Sequence, residues 1–212
     1  MIFRLDERIL FPDPELAEPD GLLAVGGDLS TARLLLAYRH GIFPWYSDET
    51  PILWYSPHER FVLYPEELKI SKSMRQVLRS GQFAVTVNQA FEHVIQACAT
   101  APREGQDGTW ITDEMQQAYI DLHKQGYAHS YEVWRGQQLV GGLYGIPIGN
   151  VFCGESMFSW VSNASKTALI ALCQRGNYKL IDCQMHTAHL ESMGARHIGR
   201  KEYLQVLQNA GS

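Results

Sequence analysis

Three polar side chains, Glu155, Asp182 and Gln184, lie within apolar runs of the sequence. Glu155 follows Val-Phe-Cys-Gly, and the other two close the run Leu-Ile-Asp-Cys-Gln. Burying polar groups is costly unless they are hydrogen-bonded or belong to a site. If their role is structural, the three residues form a buried pair of acids whose hydrogen bonds are all made, together with a hydrogen-bonded amide. As function, one acid would hold a cationic substrate group while the other orients or deprotonates an amine.

Two other kinds of chemistry have weaker support. His186 and His189, with Glu191 nearby, are too few for zinc, which takes three or four well-placed ligands, so we expect no metal. Cys153 would be the nucleophile of a cysteine hydrolase, but it precedes no helix and has no basic neighbour in the sequence to activate it. A buried structural thiol is the better interpretation of this residue.

The spacing of apolar residues predicts the elements that carry these groups. From residue 83 onward they are a strand at 83–87, a helix at 89–99 capped by Asn88, a loop at 100–108, a helix at 112–125 capped by Thr112, strands at 128–134, 138–144 and 150–158, a helix at 164–174, a strand at 179–184 and a final helical region to Gln208. This order resembles that of N-acetyltransferase-like (GNAT) domains, in which the reaction takes place where two central strands separate.

The glycine-bearing run at 141–149 is not a phosphate-binding loop. It lacks the Gly-Lys-Ser/Thr ending and has the pattern of a strand and turn. Its glycines predict a bulge or a close approach of two backbones. No hydrolysis of a nucleotide is indicated, so acyl transfer would need a substrate that arrives already activated.

The first 60 residues predict a smaller unit. Residues 9–28 are rich in Pro, Gly and Asp and predict an irregular entry segment, followed by a helix at 31–40 with Ser30 as its N-cap. Two aromatic runs follow, at 41–46 and 51–57. They either pack this unit together or line a ligand site.

A strand at 60–64 and a helix at 69–79 complete the predicted elements. Lys72, Arg75 and Arg79 share one face of that helix. A solvated face is the ordinary explanation, but these residues also form the densest basic cluster in a chain of formal net charge −5. If nucleic acid binds to this chain, we therefore expect it to bind at this basic cluster.

Composition indicates the cellular compartment of the protein and the number of globular units it can form. With 212 residues, 45% hydrophobic and 19% charged, the chain is long enough and apolar enough for one or two globular units. The four cysteines are widely spaced, as in proteins of a reducing compartment. The absence of a signal-like start and of a long apolar run favours a cytoplasmic protein without a membrane span.

Six segments, in order and spread over nearly the whole chain, form a specific pattern. They are Gly21–Ser30, Gly41–Trp45, Pro51–Pro57, Phe152–Phe158, Asn163–Ala168 and Leu180–Gln184. Together they resemble the motifs of the leucyl/phenylalanyl-tRNA–protein transferases. The resemblance implies a cytoplasmic, monomeric bacterial enzyme without a cofactor, which moves Leu, Phe or Met from aminoacyl-tRNA to the N-terminal Arg or Lys of a protein and so marks it for N-degron degradation.

The same resemblance implies a small N-terminal domain at 1–60, a GNAT-like domain at 61–212, and roles for individual residues. The roles are catalysis for Asp182 and Gln184, recognition of the acceptor's basic side chain for Glu155, a donor side-chain pocket for Leu143, Phe152 and Leu169, contact with the terminal adenosine of tRNA for Tyr38, Trp45 and Trp110, and contact with the tRNA stem for Lys72, Arg75 and Arg79.

Two alternatives from other classes stay open at this point. One is a GNAT-like acyltransferase that uses acetyl-CoA, although Val161-Ser-Asn-Ala-Ser lacks the pyrophosphate-binding turn that such enzymes carry before the equivalent helix. The other is a module that binds the end of a tRNA without catalysis, for which loss of Asp182 would not matter.

Overall fold

Four short strands near the N-terminus form a small sheet in the computed structural model, which describes residues 2–102 and 110–210. Their order is β1-β2-β4-β3, with β1 parallel to β2 and the other pairs antiparallel. The elements are β1 (Phe3–Leu5), β2 (Leu22–Gly26), α1 (Thr31–Arg39), β3 (Phe43–Pro44) and β4 (Leu53–Tyr55). Ser30 caps α1 as predicted, because its hydroxyl accepts a hydrogen bond from the backbone N–H of Arg33.

Seven strands form a second, larger sheet in the order β11-β5-β10-β9-β8-β7-β6. Its strands and the helices around it are β5 (Glu59–Leu63), α2 (Lys72–Arg79), β6 (Ala84–Val87), α3 (Phe91–Thr100), α4 (Asp113–Lys124), β7 (His129–Arg135), β8 (Gln138–Ile148), β9 (Val151–Ser159), α5 (Ala164–Arg175), β10 (Leu180–Gln184), α6 (Ala188–Ser192), β11 (Arg196–Gly199) and α7 (Arg200–Ala210). Among the described strands of this sheet, β9 and β10 alone run parallel. The predicted α+β class with a mixed, mostly antiparallel sheet is confirmed.

Both faces of the larger sheet are covered, because successive strand residues point to opposite sides. On β5, Val62 joins the core shared with α1, α3, α4 and α7. Its neighbours Phe61 and Leu63 join the core shared with α2, α5 and α6. Strands in the middle of the sheet are therefore buried on both faces, and a polar residue within them has no path to solvent along the strand.

The parallel pair β9–β10 is short and then separates. Its register covers three pairs and ends where Asp182 lies opposite Cys153. Beyond that point β9 continues through Glu155 to Ser159, while β10 shifts its register against β5 between Asp182 and Gln184. The separation leaves a gap between the two strands, and Glu155 and Gln184 lie on either side of it.

The glycine-bearing run forms most of β8, with a register shift against β9 between Tyr144 and Gly145. A Cβ atom at Gly145 would lie 2.2 Å from the carbonyl oxygen of Cys153, so no other residue fits without moving the backbone. The prediction of a bulge and a close backbone approach is thereby confirmed.

Three predicted elements are wrong in detail. Residues 9–28 are not irregular throughout, because they contain β2. Asn88 does not cap α3: it has φ of 59°, and its side chain accepts from the backbone N–H of Ser130. The final helical region is divided into α6 and α7 by β11, which pairs with β5 on the edge of the sheet.

Three other predictions fall partly or wholly beyond what the structure tests. The loop at 100–108 lies largely outside the described residues, and the domain boundary at residue 60 stays a prediction. Within 2–102 and 110–210, no helix is both long and apolar enough to cross a membrane.

Candidate active site

A cavity of about 580 Å³ opens at the separation of β9 and β10, and we call it the central cavity. Its walls come from both strands, from α5 and from the segment around β3, and they are mostly apolar. The lining residues that the following paragraphs use are Trp45, Trp110, Leu143, Phe152, Glu155, Leu169, Asp182, Gln184 and His186. A concave, apolar site with a few converging polar groups is the usual form of a small-molecule site.

Glu155 is an enclosed carboxylate that has hydrogen-bond donors around it. The hydroxyl of Tyr119 donates to Oε2 over 3.0 Å, and Nε2 of Gln184 donates to Oε1 over 2.8 Å. Across 2–102 and 110–210, no basic side chain lies within ion-pair distance of it. Burial raises the pKa of Glu155 from 4.5 to about 7, although its hydrogen bonds oppose the rise.

Two buried tyrosines form a chain of hydrogen bonds that ends at Glu155. Tyr38 is hydrogen-bonded to Tyr119, whose hydroxyl in turn contacts Glu155. Burial raises the pKa of both tyrosines well above the ordinary value, and the nearby Glu155 carboxylate adds to the rise. Both hydroxyls therefore keep their protons and remain available as donors.

Asp182 forms part of the cavity wall, but its side chain is 0% exposed. Nε of Arg60 lies 3.0 Å from each of its carboxylate oxygens, and the hydroxyl of Tyr203 donates to Oδ2 over 2.7 Å. Burial lowers the pKa of Arg60, but Asp182, Tyr203 and Cys153 together more than offset burial, so the pKa lies above its ordinary value. The oxygens of Asp182 thus face these partners, and the remaining donor is the backbone of Gln184.

Gln184 connects the two acids. Its backbone N–H donates to Oδ1 of Asp182 over 2.8 Å, and its side chain donates to Glu155. Its φ is 60°, in the left-handed region that residues other than glycine seldom occupy, and such strain is common at functional sites. The structure therefore brings all three predicted polar residues together, in an arrangement in which Asp182 contacts the cavity through Gln184.

The predicted donor pocket and two of the predicted aromatic residues line the central cavity. Leu143, Phe152 and Leu169 are each at most 3% exposed and form part of its apolar wall. Trp45 is 36% exposed at the cavity, and Trp110 also lines it. An accessible tryptophan ring offers a face on which a base can stack.

Tyr38 has a different position from the two tryptophans. It is 1% exposed, lies outside the cavity lining and is hydrogen-bonded beneath Glu155. No ring face is open for stacking on a base in this conformation. Its contact with the adenosine stays a prediction, and its observed role is support of Glu155.

The basic face of α2 lies on the outside of the protein. Lys72, Arg75 and Arg79 are all exposed, while Met74 of the same helix packs against the core around α5. Arg75 donates from Nε to the carbonyl oxygen of Ile70, which ties it to the start of the helix. The three cations are thus available to an anionic partner, but their role with tRNA stays a prediction.

The competing chemistries find little support in the geometry. Burial raises the pKa of the Cys153 thiol well above its ordinary value, and the neighbouring Asp182 carboxylate adds to the effect, so the thiolate of a nucleophile is disfavoured. His186 is paired with Glu191 over 3.0 Å. In the described part of the chain, no group of three or more His, Cys, Asp or Glu residues could hold a metal ion.

Two family models match the chain. Residues 27–58 match the leucyl/phenylalanyl-tRNA protein transferase N-terminal domain, and residues 62–208 match the leucyl/phenylalanyl-tRNA protein transferase family. The second match alone covers more than half of the sequence. The chain belongs to the leucyl/phenylalanyl-tRNA–protein transferase family. It is therefore an aminoacyltransferase.

Relatives from this family are similar to the chain over nearly its full length. A leucyl/phenylalanyl-tRNA–protein transferase of Syntrophobacter fumaroxidans is 58% identical over 97% of this chain and 89% of its own length. One of Flavobacterium johnsoniae is 54% identical over 98% of this chain and 100% of its own. The solved structure of FemX is 9% identical, covers 83% of this chain and 70% of its own, and has a TM-score of 0.49, too low to bear on function.

Three residues of the candidate site were not predicted from the sequence. Arg60 and Tyr203 hold Asp182, and Tyr119 holds Glu155. Arg60 carried the same signal as the two acids, because it is a charged residue next to the apolar run Phe-Val-Leu. Tyr119 and Tyr203 gave no such signal, since aromatic residues at helical spacing usually belong to the core.

Proposed function

We propose that the protein transfers Leu, Phe or Met from aminoacyl-tRNA to the N-terminal Arg or Lys of acceptor proteins. The observation that carries this proposal is Glu155, a carboxylate in the wall of the central cavity whose described neighbours include no cation. A guanidinium or ammonium group of the acceptor would supply the missing partner. Transfer to such acceptors would mark them for N-degron degradation, and we place the enzyme in the cytoplasm as a monomer.

Gln184 is the proposed contact to the reacting ester. Its side-chain amide has two hydrogens, of which one is donated to Glu155 over 2.8 Å. The second remains for the carbonyl oxygen of the aminoacyl ester, where negative charge grows as the amine attacks. Asp182 acts through the Gln184 backbone, because its own oxygens are already occupied.

The reaction itself needs no cofactor or nucleotide hydrolysis. The α-amine nitrogen forms a bond to the carbonyl carbon, the bond from that carbon to the ribose oxygen breaks, and the proton lost by the amine ends on that oxygen. An α-amino group has a pKa near 8, so a substantial fraction is neutral and nucleophilic at neutral pH. Alignment of ester and amine supplies roughly 7–11 kcal/mol of the barrier reduction.

The remaining roles follow from position. Leu143, Phe152 and Leu169 would enclose the donor side chain, and an apolar pocket separates side chains by only about 1–3 kcal/mol per methylene, so Leu, Phe and Met should compete. Trp45 and Trp110 would contact the terminal adenosine. The exposed cations of α2, Lys72, Arg75 and Arg79, would bind phosphates of the acceptor stem.

A transfer assay tests this function with labelled Phe-tRNA and peptides that differ only in their first residue. We expect label on Arg and Lys peptides and at least tenfold less on an Ala peptide. A peptide with an acetylated N-terminal Arg is the control, since its amine is blocked and it should receive none. Labelled acetyl-CoA serves as a competing donor.

The outcomes of this assay separate the candidate functions. No label on the Arg peptide would contradict the proposed transfer, and label from acetyl-CoA would favour the alternative acyltransferase. Equal labelling of Ala and Arg peptides would remove only the role of Glu155. If the Arg peptide is preferred, Glu155→Gln should abolish that preference, whereas Glu92→Gln, the same change at an exposed acid outside the cavity lining, should leave it intact.

A further inference from the structure

The carboxylate of Asp182 is held by residues of two elements, and no described residue of either element lines the central cavity. Arg60 belongs to β5 and lies 122 positions before Asp182, and Tyr203 belongs to α7. Together with the Gln184 backbone they provide contacts to both carboxylate oxygens, each within 3.0 Å. Asp182 is therefore fixed in position.

Arg60 is itself held in a narrow slot. Its guanidinium carbon lies 4.7 Å from the ring centroid of Phe43 and 4.6 Å from that of Tyr203, and the residue is 2% exposed. A position over two aromatic rings suits the planar guanidinium better than the compact ammonium of Lys. The slot allows little movement of Arg60 or of the carboxylate bonded to it.

A buried ion pair of this kind is weak grounds for stability alone, because desolvation of the two charges offsets much of their attraction. A geometric role explains it better. The left-handed backbone of Gln184 places its amide against Glu155, and this conformation is held by the hydrogen bond to Oδ1 of Asp182. If Asp182 moved, β10 would be free to continue as an extended strand, and the Gln184 side chain would turn away.

We infer that Arg60 and Tyr203 are positioning residues of the transfer reaction, which act by fixing Asp182 and, through it, the amide of Gln184. This inference rests on the proposed contact between Gln184 and the ester. Neither residue needs to touch the tRNA or the acceptor. Their loss should accordingly slow the chemical step and leave substrate binding almost unchanged.

Tyr203→Phe is the sharpest variant, because it removes only the hydroxyl and keeps the ring against Arg60. We expect kcat for Phe transfer to fall by about 10–100-fold, because a misplacement of about 1 Å can cost up to roughly 100-fold. KM for tRNA and for the Arg peptide should change by less than about threefold. Tyr64→Phe is the matched control: it removes a hydroxyl that bonds Glu202 of the same helix, and should leave kcat unchanged.

We call the group formed by Arg60, Tyr203 and Asp182 the anchor, and Arg60→Lys tests the other residue that holds Asp182. This substitution retains the positive charge but loses the planar group over the two rings, so we expect a kcat loss similar to that of Tyr203→Phe, whereas Arg39→Lys at an exposed position should have none. When Asp182→Ala is already present, adding Tyr203→Phe should lower kcat by less than about a further threefold, because the two residues act as one unit. A fully additive loss, or a loss confined to KM, would overturn the inference.

A structural readout keeps the inference separate from the proposed function. In a crystal structure of Tyr203→Phe, Gln184 should lose its left-handed conformation or its hydrogen bond to Glu155. An unmoved Gln184 would overturn the anchoring role whatever the activity. Failure of the proposed function would instead appear as an unsubstituted protein that transfers no label to any peptide.

Discussion

Two enclosed acids share one cavity wall and differ in their partners. Asp182 is fully buried against Arg60, a cation supplied by the protein itself. Glu155 is nearly as buried, but its hydrogen bonds come from neutral donors, and its pKa is raised to about 7. A buried acid with an internal counterion is held in place, whereas a buried carboxylate without one can be stabilised by an external cation. On this difference in partners we base the proposal that Asp182 positions and Glu155 recognises.

The largest effect should follow from breaking the anchor. Asp182→Asn leaves Arg60 buried without its counterion, which typically costs about 3–5 kcal/mol. Thermal unfolding should therefore occur roughly 10 °C lower, since each kcal/mol shifts Tm by about 2–4 °C at this chain length. Addition of Arg60→Met should restore part of the loss, because it removes the stranded charge. An unchanged Tm for Asp182→Asn would show that the pair does not act as an anchor.

The same substitution at the other acid should have the opposite effect on stability. The carboxyl of Glu155 has a pKa of about 7 in the folded protein and 4.5 as its ordinary value, so the folded state favours its protonated form. This preference destabilises the native state as pH rises from about 4.5 through 7, by up to roughly 3 kcal/mol at pH 8. Glu155→Gln should raise Tm by several degrees at pH 8 and hardly at all at pH 4.5. Equal shifts at both pH values would contradict an uncompensated carboxylate.

The smallest expected effect is on acceptor binding by the unsubstituted enzyme. Only the ionised form of Glu155 attracts Arg or Lys, and at pH 6 about a tenth of the carboxyl is ionised when its pKa is about 7. KM for an Arg peptide should therefore be about tenfold higher at pH 6 than at pH 8. Glu155→Gln provides the comparison, since the acceptor amine titrates in both proteins. The same pH step in both would exclude Glu155 as its source.

The sequence predicted the elements from β6 to β10 because their signals are local. Apolar spacing and helix caps such as Thr112 act over a few residues, and Thr112 does accept from the backbone of Met115. β5 was predicted as a strand, but not its place between β10 and β11. Such pairing joins segments more than 100 residues apart, as in Val62 with Asp182, and leaves no periodic trace in the sequence.

The site was predictable to a similar extent. Glu155, Asp182 and Gln184 were found because polar residues in apolar runs are conspicuous, and the structure does bring them together. Which acid has a counterion was not predictable, because that depends on where Arg60 lies after folding. Polar residues also serve structure: Asn88 had the type of a helix cap, but its side chain bonds Ser130 across β6 and β7.

The pairing of β5 with two strands that come much later in the chain has a consequence for the order of synthesis. Arg60 leaves the ribosome 122 residues before its partner Asp182. At about 5–20 residues per second, β5 waits roughly 6–24 s before either neighbouring strand exists. During that time its apolar residues Phe61, Val62 and Leu63 have no strand to pair with, which makes them a natural target for chaperones and for aggregation. β5, which supplies Arg60, is thus a strand whose apolar residues stay unpaired for a long part of synthesis.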